Sequence, residues 1–136
     1  MEKFKNPVMV LPRDLNHHGT LFAGQAMYYL VESGFVCVSS YYDPDHIVFR
    51  GLDHVGFFKP VKKGSILIFE ARAVYFGKTS IKVYVKAAPR GENETSIEGI
   101  ITYVTVDDNG KKTPHNLKIS KPEDKDEELL RNLCNR

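Results

Sequence analysis

The feature that most constrains this 136-residue chain is the window from Phe22 to Ser40, which carries a single charge, Glu32, in an otherwise apolar or small-residue run. Ala23, Ala26, Met27, Leu30, Val31, Gly34, Phe35 and Val38 recur at i, i+3 and i+4, and that rhythm predicts one long helix. Apolar residues occupy most of its circumference, so the helix is expected to be buried on several sides. Pro44 biases Asp43 away from helical angles, and the loop YYDPDH ends it. Gln25, Tyr28, Tyr29, Glu32 and Ser33 interrupt the window too often for a bilayer span, which needs about 20 mostly apolar residues.

The remainder reads as strands. Pro7 to Pro12 is a short apolar run expected at a sheet edge, where proline is tolerated. Ile47 to Pro60 reads as a long strand, with Gly56 marking a bulge or close approach. Ser65 to Phe76 is the next, then a Gly77-Lys78 turn. Ile81, Val83, Val85 and Ala87 alternate with Lys82, Tyr84 and Lys86, the pattern of an antiparallel strand buried on one face. Thr95 to Val106 is another strand, closed by the turn DDNGKK. KPEDKDEELLRNL places acids before an apolar pair and predicts a short surface helix. One long apolar helix among antiparallel strands is an α+β plan, met most economically by a curved sheet wrapped around the helix. Such a small sheet leaves edges and part of the helix uncovered, so pairing with a second copy is expected.

Composition narrows the function classes. Apolar residues make up 42% and charged residues 26%, which excludes a disordered or fibrous chain. The start, MEKFKNPVMV, has no long apolar stretch, and Cys37 and Cys134 cannot build a disulfide scaffold or a four-ligand zinc site. A cytoplasmic setting is expected. Arg50 to Arg90 holds nine basic residues against two acidic ones, either a solvated sheet face or a surface that meets a phosphate-bearing ligand. No nucleic-acid-binding motif accompanies it. Phosphate-cradling and dinucleotide-binding glycine loops are absent, Ser39-Ser40 lacks a nucleophile elbow, and Cys37 reads as core.

Two regions remain for chemistry. Glu32, on a seam with Gln25, Tyr28, Tyr29 and Ser39, is either a carboxylate on a wet stripe or a functional one in a partly desolvated cleft. Ahead of the helix lies DLNHHGT, then Phe22, Ala23 and Gly24. Amides at a helix start lack partners within the helix and carry partial positive charge, which suits a developing oxyanion. Gly24 leaves room for a carbonyl, and Asn16 could hold a water or an acyl group by its amide. His17 and His18 read as solvated, and two histidines with few nearby acids argue against a metal.

LPRDLNHHGTLFAGQAMYYLVESG resembles the opening motif of hotdog-fold acyl-CoA thioester hydrolases, P-x-D-x-N-x-x-G-x-x-F/H-G-G before a long helix, with Pro12, Asp14, Asn16, Gly19, Phe22 and Gly24 in register. GLDHVGFFKPVKKGSILIFEARAVYFGKTSIKVYV resembles the family's later V-D-x-x-x-F-x-x-P-V-x-x-G and G-x-T-S segments, through Asp53, Phe57 or Phe58, Pro60, Val61, Gly64, Gly77, Thr79 and Ser80. The resemblance implies one hotdog domain over residues 1–120, followed by the charged tail over 121–136. It implies hydrolysis of an acyl-CoA without metal or organic cofactor, at the interface of a homodimer that assembles further into tetramers or hexamers. No nucleic-acid or membrane partner is implied.

By the same resemblance, Asn16 orients the attacking water or the thioester, and the amide at Ala23 or Gly24 is the oxyanion donor. His17, His18 and Phe22 lie along the substrate path. Gly77, Lys78, Thr79 and Ser80 line the pantetheine channel, with basic residues meeting the coenzyme A phosphates. The family's helix acid, a general base or nucleophile, aligns with Val31, and Glu32 beside it, about 100° around the helix, is the residue expected to take that role. Two other readings keep their place. Hotdog dehydratases pair a histidine with a helix carboxylate at a spacing like that of His18 and Glu32, and Val31 fits a module that binds acyl-CoA without cleaving it.

Overall fold

The computed structural model describes residues 1–135; Arg136, the end of the expected tail, lies outside the described residues. Five strands form one antiparallel sheet: β1 (Lys3–Met9), β2 (Ile47–Phe57), β3 (Ile66–Phe76), β4 (Ser80–Pro89) and β5 (Ile97–Thr105). Their spatial order is β1-β3-β4-β5-β2, so β1 and β2 are the two edges. The long helix α1 (Ala23–Ser39) packs against the inner face, and α2 (Lys125–Cys134) packs on β3 from the other side. This is the expected α+β hotdog architecture.

The inner core joins one stripe of α1 (Ala26, Tyr29, Leu30, Cys37, Val38) to the alternate residues of β3 and β4 that point inward, such as Leu67, Phe69, Ala71, Ile81, Val83 and Val85. β1 begins at Lys3, four residues before the expected run, because Phe4 and Val8 alternate inward with Asn6. Pro7 is accommodated because the strand pairs only with β3. β2 is irregular where Gly56 suggested it: the register slips between Asp53 and Gly56, with His54 at φ 52°, and again between Phe49 and Gly51.

Two expectations are corrected. The long helix is not buried on several sides: Tyr28 and Val36 are 57% and 52% exposed and Glu32 is exposed between them. The sheet covers one face of α1, and among the described residues only side chains of β2 and β5, such as Phe49, Leu52 and Tyr103, border the opposite one. The tail helix, in turn, is no mere surface feature. Leu130, Leu133 and Cys134 pack on Val74 and Ile100, while Glu127 is fully buried. Its carboxylate meets Arg72 at 3.4 Å, the Met1 amino group at 3.3 Å, and Arg131 one helical turn on.

Part of the basic run is neutralised locally: Arg72 is taken by Glu127, Lys86 pairs with Glu70 at 3.8 Å, and Lys59 pairs with Glu94. Among the described residues no helix is long and apolar enough to cross a membrane, and no group of three or more His, Cys, Asp or Glu side chains is placed to hold a metal ion.

Candidate active site

The loop before α1 is built by its own side chains. Asn16 Oδ1 accepts from the amides of His18 (2.9 Å) and Thr20 (3.1 Å), and Asn16 Nδ2 donates to Thr20 Oγ1 at 3.1 Å. Gly19 sits at φ +82°, a left-handed conformation that glycine adopts without strain. The loop closes where the Phe22 amide donates to the Asp14 carbonyl at 2.8 Å. Asn16 therefore has a structural job that the sequence reading did not assign, and one Nδ2 hydrogen remains outside the loop's own bonds.

The start of α1 is uncapped. Phe22 occupies the cap position without a side-chain hydrogen bond to the helix, and the first turn holds no acid. The leading amides keep their partial positive charge unneutralised. Beside Gly24 the nearest side chain is that of Phe22, itself half-exposed. A Cβ there would lie 2.7 Å from the ring of Phe22, which folds over it.

Two grooves flank this helix start, one reaching Ala23 and the other Gly24. One, of about 340 Å³, is lined by Asn16, Ala23, Phe57, Phe58 and Pro60. The other, of about 630 Å³, runs along the exposed face of α1 and is almost wholly apolar, with Gly24, Met27, Tyr28, Val31, Phe35 and Phe49 along it and Glu32 as its carboxylate. No cation pairs with Glu32 among the described residues. Its neighbour is Tyr28, whose phenol it holds above the usual range as hydrogen-bond acceptor and negative charge. Val31 presents its side chain to the same groove. The Tyr103 hydroxyl donates to the Val31 carbonyl at 2.6 Å, and a Cβ on Gly34 would stand 2.6 Å from that hydroxyl. Tyr103 thus fixes the helical turn that carries Glu32. Gly34 was the only sign of it in the sequence.

One protomer does not bring all the expected residues together. Gly24 and Glu32 share a groove but lie eight residues apart on one helix, about 12 Å along its axis. Asn16 and Ala23 open onto the other groove. His17 and His18 are exposed, ring against ring at 3.9 Å, and His18 does not line the groove of Glu32. The turn Gly77–Ser80 is at the far end of α1, where Tyr41 packs on Phe76 at 5.7 Å and His115 holds the Ser80 carbonyl at 3.0 Å.

The thioesterase superfamily model matches residues 18–95, which contain the whole of α1, β2, β3 and β4. The chain belongs to the thioesterase superfamily. A Bacillus subtilis relative, described as the uncharacterized acyl-CoA thioester hydrolase YkhA, is 29% identical over 129 residues, 92% of this chain and 73% of the relative. A Staphylococcus aureus acyl-CoA hydrolase, solved with butyryl coenzyme A, coenzyme A and coenzyme A disulfide, matches with a TM-score of 0.83 at 28% identity, over 98% of this chain and 79% of that one. An apo-hexameric acyl-CoA thioesterase matches with a TM-score of 0.84 at 28% identity, over 98% and 86% of the two chains.

Proposed function

We propose that this protein hydrolyses acyl-CoA thioesters at a site shared by two copies of the chain. The observation that carries the reading is the uncapped start of α1, whose Ala23 and Gly24 each line a groove, one of which holds a carboxylate without a cation among the described residues. The acyl-CoA hydrolase and thioesterase descriptions of the relatives support the substrate class.

The chemistry follows from the parts. The thioester carbonyl oxygen accepts from the amide of Ala23 or Gly24, and Asn16 uses its remaining amide hydrogen to orient the thioester or the water. Glu32 takes a proton from that water as its oxygen bonds to the carbonyl carbon. The oxyanion then collapses, the carbon–sulfur bond breaks, and the thiolate leaves with a proton, giving a free acid and coenzyme A. One oxyanion donor is worth about 3–4 kcal/mol in such a step, so the amide matters as much as the base. Because about 12 Å of helix separates Gly24 from Glu32, the base acting on a carbonyl held at Gly24 comes from the second copy. A two-fold pairing through the free edge of β2 and the exposed stripe of α1 supplies it, and also covers Val36 and Phe49. Such dimers then assemble into tetramers or hexamers. Pairing would also bring the partner's Gly77–Ser80 turn toward the site to line the pantetheine arm. The free thiols Cys37 and Cys134 accord with a cytoplasmic setting.

Purified protein offered a panel of acyl-CoAs with a thiol-detecting reagent is expected to release thiol. Glu32→Gln lowers kcat at least about tenfold, within the ordinary range of general-base contributions. Unchanged turnover would remove Glu32 from the mechanism. The place of Val31 beside Glu32 keeps one second reading, a module that binds acyl-CoA and releases no thiol; the same assay separates the two.

A further inference from the structure

We infer that Asp14 and Tyr29 are positioning residues for this site, an inference that rests on the hydrolase reading above. Asp14 is fully buried, and none of the ion pairs among the described residues includes it. Its carboxyl oxygens are met by neutral donors instead: the Tyr29 hydroxyl at 2.9 Å and the Leu11 amide at 2.8 Å. Its own carbonyl accepts from the Phe22 amide at 2.8 Å. One residue thus grips the end of the first strand's extension, the residue that starts α1, and the second turn of the same helix.

What lies between those grips is the proposed chemistry. Asn16 is two residues after Asp14. Ala23 and Gly24 directly follow Phe22. The span between is pinned at its base by the Leu15–Leu21 bridge and the Asn16 amide on the Thr20 carbonyl at 2.7 Å. The separation between the Asn16 amide and the α1 amides is therefore set by where Asp14 and Tyr29 hold the two ends. Burying a carboxyl among neutral donors costs desolvation that an apolar residue of the same size would not incur. The gain is directional: the two hydrogen bonds to the carboxyl fix an orientation that apolar packing would leave loose. Small misplacements of a reacting group cost large factors in rate, so such a brace acts on turnover more than on binding.

Tyr29→Phe keeps the ring against Phe69, 5.9 Å away, and deletes only the hydroxyl. We expect kcat for thiol release to fall about ten- to a hundredfold, KM to stay within about twofold, and amide hydrogen exchange over residues 16–22 to quicken. Asp14→Asn, which keeps one acceptor oxygen, should fall between wild type and Asp14→Leu. Wild-type kcat and unchanged exchange in Tyr29→Phe would overturn the inference. If the wild type releases no thiol from any acyl-CoA, the hydrolase reading fails, and loop exchange alone decides whether the brace exists. Should Tyr29→Phe lose its near-ultraviolet dichroism, Asp14→Asn is measured in its place with the same readouts.

Discussion

The molecule has two apolar faces, and the chain covers only one of them. On the outer side of the sheet, Val74 and Ile100 lie beneath α2, and the acid that comes with that helix, Glu127, is buried against two guanidinium groups and the Met1 amine. On the opposite side, Tyr28, Val36 and Phe49 stay open along α1 and β2, and the acid there, Glu32, has a phenol beside it and, among the described residues, no paired cation. A compensated, water-free carboxylate fastens one element to another. An uncompensated carboxylate at the edge of an apolar groove remains available to take a proton. The contrast separates the fastener from the proposed base.

The strongest way to break that comparison is at the fastener. Glu127→Ala leaves Arg72 and Arg131 buried without their shared anion, a loss of about 3–5 kcal/mol. For a chain of this size the melting temperature should fall by more than about 10 °C. A melt within a degree or two of wild type would show that α2 docks by its leucines alone. Glu32→Gln is the counterpart: its exposed position predicts a stability change within about 0.5 kcal/mol, together with the loss of turnover given above.

Mixing sharpens the same comparison. If each site takes its amides from one copy and its carboxylate from the other, Asn16→Ala and Glu32→Gln are each impaired at least about tenfold alone, yet complement each other. Random exchange between equal amounts makes half of the dimers mixed, each with one intact site, so about a quarter of wild-type activity should return. Absence of recovery, with exchange verified by differently tagged copies, would place Asn16 and Glu32 in one protomer's site and end the shared-site account.

How much of this was readable in advance follows from the range of each interaction. The period of α1, the alternation of Ile81 to Ala87 and the slip at Gly56 are local, and the chain carries them within a few residues. The loop around Asn16 is local too, and its motif placed Asn16, Gly19 and Gly24 where the structure has them. Arg72 and Glu127 are 55 residues apart, and each alone looks like an ordinary surface charge, so the docking of α2 left no trace in periodicity. Asp14 was legible as a motif residue, but its burial depends on Tyr29, which was assigned to the wet seam with Glu32. The error had one cause. A helix apolar nearly all round gives no phase for its dry side, and only the sheet's position decides that Tyr29 faces in while Glu32 faces out.

The smallest effect lies where α1 hands over to β2, and it tests whether surface ion pairs matter here at all. His46 sits between two carboxylates, with Nδ1 2.8 Å from Asp43 and Nε2 2.6 Å from Asp108, so it clips the turn after α1 to the turn after β5. The hydrogen bond to Asp108, then that to Asp43, raises the His46 pKa above 6.5. A raised histidine contributes its stability in full below its unfolded value of about 6.5 and loses it as pH climbs through the folded value. Asp43 is shifted the other way, held below 3.8 by the Asp45 amide first and by His46 second. Its contribution is present above the unfolded carboxylate value and disappears as pH falls through the lowered one. The clip is therefore strongest in mildly acidic solution, and the melting temperature should decline slightly from about pH 6 to pH 8.5. Asp108→Asn should flatten that decline without touching turnover, and 1 M salt should do much the same by screening. A decline of undiminished slope in Asp108→Asn would assign the pH dependence to another group and leave the two turns joined by backbone bonds alone, through the Val106 amide on the His46 carbonyl at 2.9 Å.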